Sequence, residues 1–152
     1  MLVAVCVPGP ATHSARWLMV GAFPGGCSLP VMKTIAQTAE RGKLDLFFIS
    51  DAVVMDPGDH PSFVNRFEPL TLLSALSQVT SHVGLGATVS TSFGEPYHVA
   101  RAFASLDHVS NGRAGWNVVT STHDKAALNF SRQRLEEHDL RYEVAGEFVD
   151  VV

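Results

Sequence analysis

Residues 83–109 read VGLGATVSTSFGEPYHVARAFASLDHV, and this stretch decides the fold. Its opening, VGLGATV, is an apolar run of strand length. A short polar segment, STSFG, separates it from a helical stretch that begins near Glu95 and ends near Val109. Asn111-Gly112 then gives a tight-turn signal. A buried strand, a polar strand end, a helix and a turn make one complete βα unit.

The same cycle recurs on both sides. The apolar run at residues 2–7 stops at Pro8, and residues 28–41 read as a helix. Ser28 suits its N-cap, Pro30 is tolerated in the first turn, and Gly42 is a stop signal. A second run, LDLFFI at 44–49, ends in Ser50-Asp51. A polar loop with Pro57, Gly58 and Pro61 leads to a helix over 68–80, its stripe formed by Leu72, Leu73, Leu76 and Val79. A fourth strand is predicted over 114–120, followed by an irregular polar stretch. The last helix starts near Arg134 or His138 and runs to the end. Four β-then-α cycles require parallel strands with right-handed crossovers. A barrel and a doubly wound sheet both satisfy that pattern.

Size and composition narrow the options. The chain has 152 residues, 46% hydrophobic and 17% charged, with a formal net charge of -4. One domain over residues 1–152 is expected, well short of the roughly 250 residues of a complete (β/α)8 barrel. The charge balance supplies no basic stripe, so nucleic acid is not an expected partner. No run of about 18 apolar residues could form a membrane span. The opening MLVAVCV lacks a positive n-region and runs into Pro8-Gly9-Pro10, which favours a buried strand over a signal peptide. Cys6 and Cys27 form no C-x-x-C pair; Cys6 is expected as a small core residue, in a reducing, cytoplasmic setting.

Polar residues collect where the strands finish. Ser50-Asp51 follows the second, Thr88 and Ser90-Thr91-Ser92 the third, and Asn117 with Thr120-Ser121-Thr122-His123 the fourth. In parallel α/β folds these ends share one rim, where active sites are built. That loops are polar wherever they begin is the competing explanation for any single residue. There is no G-x-G-x-x-G after the first strand, no P-loop, no G-x-S-x-G elbow, and no H-x-H or H-E-x-x-H among the seven histidines. Dinucleotide binding, hydrolase chemistry and a metal site are therefore disfavoured. His82 and His108 fall on the opposite rim. His138 and Tyr142, spaced i, i+4, share a helical face that could meet one ligand or simply face solvent.

Several motifs in this chain resemble one family. FEPLTLLSAL at 67–76 is one, and GLGATVST at 84–91 leading into EPYHVAR at 95–101 is another. The most specific is ASLDHVSNGRAGWNVVTS at 104–121, and AQTAERGK at 36–43 adds to it. Together they resemble the bacterial-luciferase-like flavin-dependent monooxygenases, in the nitrilotriacetate and dibenzothiophene-sulfone monooxygenase branch. The WNVVTS element favours FMN over a deazaflavin.

That resemblance implies an α/β fold, a (β/α)8 TIM barrel of which about the first four βα units are present. It implies an oxidoreductase that takes reduced FMN from a separate NAD(P)H:flavin reductase. O2 adds at flavin C4a, and the (hydro)peroxide oxidises a small organic substrate. The family's flavin contacts fall on Asp51, Thr88, His138 and Tyr142, with Ser121 beside the ring. Asn117 lines the same pocket, and His13 in the first loop faces the substrate. Trp116 reads as packing. The loop at 22–27 departs from the family's pattern, Asn111 stands where glycine is common, and phosphate-holding loops are expected beyond Val152. A catalytically inactive half-barrel, or a flavin-binding assembly fragment, is the alternative. Its edge strands would favour a homo-oligomer.

Overall fold

Four short strands hydrogen-bond in chain order into one parallel sheet, β1-β2-β3-β4. They are β1 (Ala4–Cys6), β2 (Leu46–Ile49), β3 (Gly84–Ser90) and β4 (Ala114–Val119). The helices between and after them are α1 (Leu29–Arg41), α2 (Pro69–Ser77), α3 (Pro96–Ser110), α4 (Asp124–Leu128) and α5 (His138–Val151). This computed structural model describes residues 2–6, 27–54 and 66–152. Strands in sequence order, each followed by a helix, are the arrangement of a partial (β/α)8 barrel.

The helix starts follow from sequence. Pro30, Pro69 and Pro96 each sit in a first turn, where a missing N–H loses no helical bond. Glu68 caps α2 with its side chain, accepting from the N–H groups of Leu70 at 2.9 Å and Thr71 at 2.7 Å. Ser28 occupies the N-cap of α1, but its side chain makes no capping bond. Asn111 ends α3 in the left-handed region at φ 61°, which asparagine tolerates better than most residues.

Alternation along the strands divides the sheet into two faces. Phe47 and Ile49 of β2, with Leu85 and Ala87 of β3, pack beneath the helices against Ala36, Leu72, Leu73, Leu76 and Leu106. Leu46 and Phe48 point the other way, over the glycines of β3 and β4. They border a hollow of about 340 Å³ that also meets Gly86, Gly115 and Asn117. Trp116 belongs to the helix side, its ring between Phe103 of α3 and Phe148 of α5 at centroid distances of 5.6 and 5.9 Å. Its Nε1 donates to the carbonyl of Val89 at 3.0 Å. Packing is indeed its role.

Three expectations need correction. Cys6 is exposed, not a core residue: on edge strand β1 it alternates with Val5, and Val5 takes the core side. The stretch after β4 is not wholly irregular, since it contains α4, whose Ala126 and Ala127 are buried. The second helix stops at Ser77, so Val79 lies beyond it, although still packed against the core.

Candidate functional site

The carboxyl ends of β2, β3 and β4 open on one cleft of about 680 Å³. Asp51, Thr88, Ser90, Ser121, His123 and Tyr142 reach it, and Val53, Val118 and Val119 supply an apolar wall. Parallel pairing creates the convergence. The register aligns Ser90 with Val119, so β3 and β4 finish at one level. Ile49, beside Ala87, ends β2 lower and leaves Asp51 to reach the cleft from the segment that follows it.

Asp51 leaves the end of β2 and is mostly buried, 3.5 Å from the Arg66 guanidinium. Burial raises its carboxyl above the usual aspartate range. The positive charge of Arg66 and the N–H of Ala52 oppose that rise, while Glu68 adds to it. Thr88 is 5% exposed and its hydroxyl is largely committed. Oγ1 donates to the Ile49 carbonyl at 2.9 Å and accepts from Asn117 Nδ2 at 3.1 Å. Toward a ligand, that hydroxyl can only accept.

Ser90 and Ser121 join the ends of β3 and β4. Their hydroxyl oxygens are 2.8 Å apart, and Ser121 takes a left-handed backbone conformation at φ 60°. Alongside them, Ser92 Oγ donates to the Thr120 carbonyl at 2.6 Å.

His138 and Tyr142 stand one turn apart on α5, as their spacing predicts, with ring centroids 4.8 Å apart. Tyr142 lines the cleft. His138 is not among the lining residues; its ring is largely exposed, and Nδ1 lies 2.8 Å from Asp139 Oδ1. Asn117 borders the neighbouring hollow and reaches the cleft through Thr88. His13 lies outside the described residues. The structure thus gathers Asp51, Thr88, Ser121 and Tyr142 in one space, with Asn117 and His138 at its margins.

Three contributors were not among the expected flavin contacts: Ser90 and His123, read only as polar residues at strand ends, and Arg66. Ser90 could have been found, because strand alternation from Thr88 puts it on the same face. Arg66 carried no such signal, being 15 positions from Asp51 and outside any recognised pattern. Among the described residues, no group of three His, Cys, Asp or Glu side chains could hold a metal ion. No described helix is long and apolar enough to cross a membrane.

A parallel βα sheet with a cleft at its carboxyl rim, polar groups set in a largely apolar lining, defines the class: an α/β barrel-type protein with a candidate site where such folds build theirs. The comparisons supply the family. The family model for luciferase-like monooxygenases matches residues 11–152. N-acetyl-S-(2-succino)cysteine monooxygenase of Bacillus subtilis is 54% identical over 99% of this chain and 34% of its own length. Nitrilotriacetate monooxygenase component A of Aminobacter aminovorans is 47% identical over 92% of this chain and 34% of its own. Among solved structures, EDTA monooxygenase from Chelativorans sp. BNC1 superposes with a TM-score of 0.90 at 31% identity, covering 99% of this chain and 37% of that one. The chain belongs to the luciferase-like monooxygenase family. It spans about a third of the length of the curated relatives it matches.

Proposed function

We propose that this segment forms the flavin-facing half of an FMN-dependent monooxygenase, working within a longer chain. The reduced FMN comes from an NAD(P)H:flavin reductase, and O2 and a small organic molecule are co-substrates. The reading rests on one observation above all: Asp51, Thr88, Ser121 and Tyr142 meet in a single cleft of a chain belonging to this family.

The residues suit FMN. A flat ring system can lie on the wall of Val53, Val118 and Val119, while its polar edge meets the acceptors Asp51 and Thr88 and the Ser121 hydroxyl. Tyr142, with His138 one turn before it, would close the open side. Asn117 orients the Thr88 hydroxyl and stands toward the substrate, and His13 is assigned to the same side. Bound reduced FMN would supply the activation of O2. The protein's own part is to hold the ring, exclude water and keep these polar groups fixed. A cytoplasmic homo-oligomer completes the proposal.

The direct test is a titration of the full-length protein with reduced FMN under anaerobic conditions. Admission of O2 with candidate substrates such as nitrilotriacetate, N-acetyl-S-(2-succino)cysteine or dibenzothiophene sulfone would follow. Saturable 1:1 binding, weakened about tenfold or more by Asp51→Asn or Tyr142→Ala, is the expected result. Absence of saturable binding would overturn the reading.

A second reading concerns the isolated segment. β1 and β4 are both sheet edges, and exposed edges invite pairing with another chain. Residues 1–152 alone are therefore expected to bind FMN weakly, to self-associate and to show no turnover. Tight 1:1 FMN binding by a monodisperse preparation of residues 1–152 would refute that.

A further inference from the structure

A row of hydrogen bonds runs across the ends of β3 and β4 beside the cleft. The Ser92 N–H donates to Ser90 Oγ at 3.2 Å, and Ser90 Oγ lies 2.8 Å from Ser121 Oγ. Both hydroxyls line the cleft, and Ser90 is only 6% exposed. Neighbouring bonds pin the two strand ends together. Thr91 donates its N–H to the Val119 carbonyl at 2.9 Å, and Ser92 Oγ donates to the Thr120 carbonyl at 2.6 Å.

Ser121 keeps φ at 60°, a conformation that disfavours any residue with a Cβ and persists where its surroundings over-determine it. The donor inventory adds a second argument. The Thr88 proton goes to the Ile49 carbonyl, and an ionised Asp51 can only accept. A ligand atom needing a donor beside these two groups must find it elsewhere in the cleft, and the Ser121 hydroxyl is one donor that lines it.

We propose that Ser90 is a positioning residue for the ligand of this cleft. It accepts from the Ser92 N–H and donates to Ser121 Oγ, so that Ser121 turns its own proton toward an acceptor atom of the ligand. The inference rests on the flavin reading, in which that acceptor is an oxygen or nitrogen of the FMN ring. Either hydroxyl can donate in the Ser90–Ser121 pair, and the proposed direction is the one that leaves Ser121 a proton for the ligand. With all three donors pointing the same way, N–H to O–H to O–H to ligand, each bond polarises the next. The reverse arrangement would leave Ser121 with no proton for the ligand.

The test compares Ser90→Ala, Ser90→Thr, Ser121→Ala and the Ser90→Ala/Ser121→Ala double variant in the full-length protein. FMN affinity, the visible absorption band of bound FMN and thermal unfolding are measured for each. Ser90→Ala should weaken FMN binding about threefold to tenfold, the scale of one hydrogen bond. It should also shift the flavin band in the same direction as Ser121→Ala. Ser90→Thr, which keeps the hydroxyl, should restore both. The double variant should bind no more weakly than Ser121→Ala alone. Wild-type affinity and spectrum in Ser90→Ala, or losses that add in the double variant, would overturn the proposal while leaving the flavin reading intact. A shift in thermal unfolding without a change in the flavin band would also overturn it, reducing Ser90 to a structural role. If the wild-type protein itself binds no FMN, the flavin reading fails first and takes this inference with it.

Discussion

Arg113 and Glu40 grip the same turn from opposite sides. The turn runs from Ser77, the last residue of α2, to Val83 and leads into β3. Arg113 gathers its carbonyls: Nη1 donates to Val83 at 2.9 Å, and Nη2 donates to Ser77 and Thr80 at 3.1 Å each. Nε takes the Ser110 carbonyl at 2.6 Å, and Nη1 also reaches Thr80 Oγ1 at 3.0 Å. Glu40 gathers the amides, accepting from Ser81 and His82 at 2.8 Å and from Val83 at 3.1 Å. One turn's donors face an anion and its acceptors face a cation. This fixes where β3 begins, and so where its far end presents Thr88 and Ser90 to the cleft.

Removing the cation should therefore be costly. Arg113→Met keeps much of the side chain's bulk but strands the carbonyls that the guanidinium serves. Unsatisfied, partly buried acceptors cost about 1–3 kcal/mol each before relaxation, so a loss of roughly 2–4 kcal/mol is expected. Arg113→Lys should recover only part of it, because an ammonium cannot reproduce the fork. Urea denaturation reads the effect as a lower midpoint at unchanged slope. A loss below about 0.5 kcal/mol would show that water replaces the guanidinium at these carbonyls.

Glu40 should make stability depend on acid pH. Partial burial pushes its carboxyl up, yet the three N–H donors of His82, Val83 and Ser81, with the nearby charge of His82, outweigh that and hold it below the usual glutamate range. Because the folded pKa is the lower one, the unfolded chain binds the proton more readily. The stabilisation is full above the unfolded pKa and disappears as pH falls through the folded one. Glu40→Gln should thus lower stability at pH 7, by less than about 1 kcal/mol given the carboxylate's solvent screening. The gap between variant and wild type should close on acidification. A gap constant from neutral pH to well below the glutamate range would contradict the assignment.

Asp51 carries the opposite sign. Burial raises its folded pKa, so the native state holds the proton more tightly than the unfolded chain. Stability therefore falls as pH rises through the unfolded and then the folded pKa, and at neutral pH the ionised carboxylate works against the fold. Asp51→Asn should leave thermal stability of the ligand-free protein unchanged or raise it. Under the flavin reading, the same change should weaken FMN binding. A substitution that destabilises the apoprotein while leaving FMN affinity intact would mark Asp51 as structural.

Much of this was legible in the sequence because burial in a parallel sheet leaves a plain imprint. LFFI and VGLGATV are apolar on both faces, the prolines mark three helix starts, and Asn111-Gly112 marks a turn that needs positive φ. The rim was legible because polar side chains gather where each strand ends, and Thr88 and Ser121 among them line one cleft. What escaped depends on contacts remote in sequence. Nothing near Arg113 announces that it serves a turn some 30 positions earlier, and nothing near Arg66 points to Asp51. Cys6 was misread because an apolar neighbourhood does not say that a strand lies at a sheet edge, with one face open.

The glycines of β3 and β4 should differ sharply in tolerance although all face the same side. A Cβ on Gly84 would stand 3.0 Å from the Asp45 carbonyl and 3.2 Å from Leu46 Cδ1. The first contact is backbone within the β2–β3 ladder and cannot yield without shifting a strand. The nearest atoms to a Cβ on Gly86 would be side-chain atoms, Leu46 Cδ1 and Phe48 Cδ2, both at 3.3 Å and bordering the hollow, where side chains have room to shift. On Gly115 its nearest neighbour would be 3.7 Å away, an ordinary contact. Alanine also restricts the unfolded chain more than glycine does, which favours the folded state by about 0.4–1 kcal/mol where space allows. Gly84→Ala should therefore destabilise by roughly 1–3 kcal/mol. Gly86→Ala should fall near neutral, and Gly115→Ala should be neutral or mildly stabilising. Equilibrium denaturation of the three variants gives the ranking. Equal losses at Gly84 and Gly115 would mean that strand flexibility, and not the approach of the Asp45 carbonyl, is what glycine provides there.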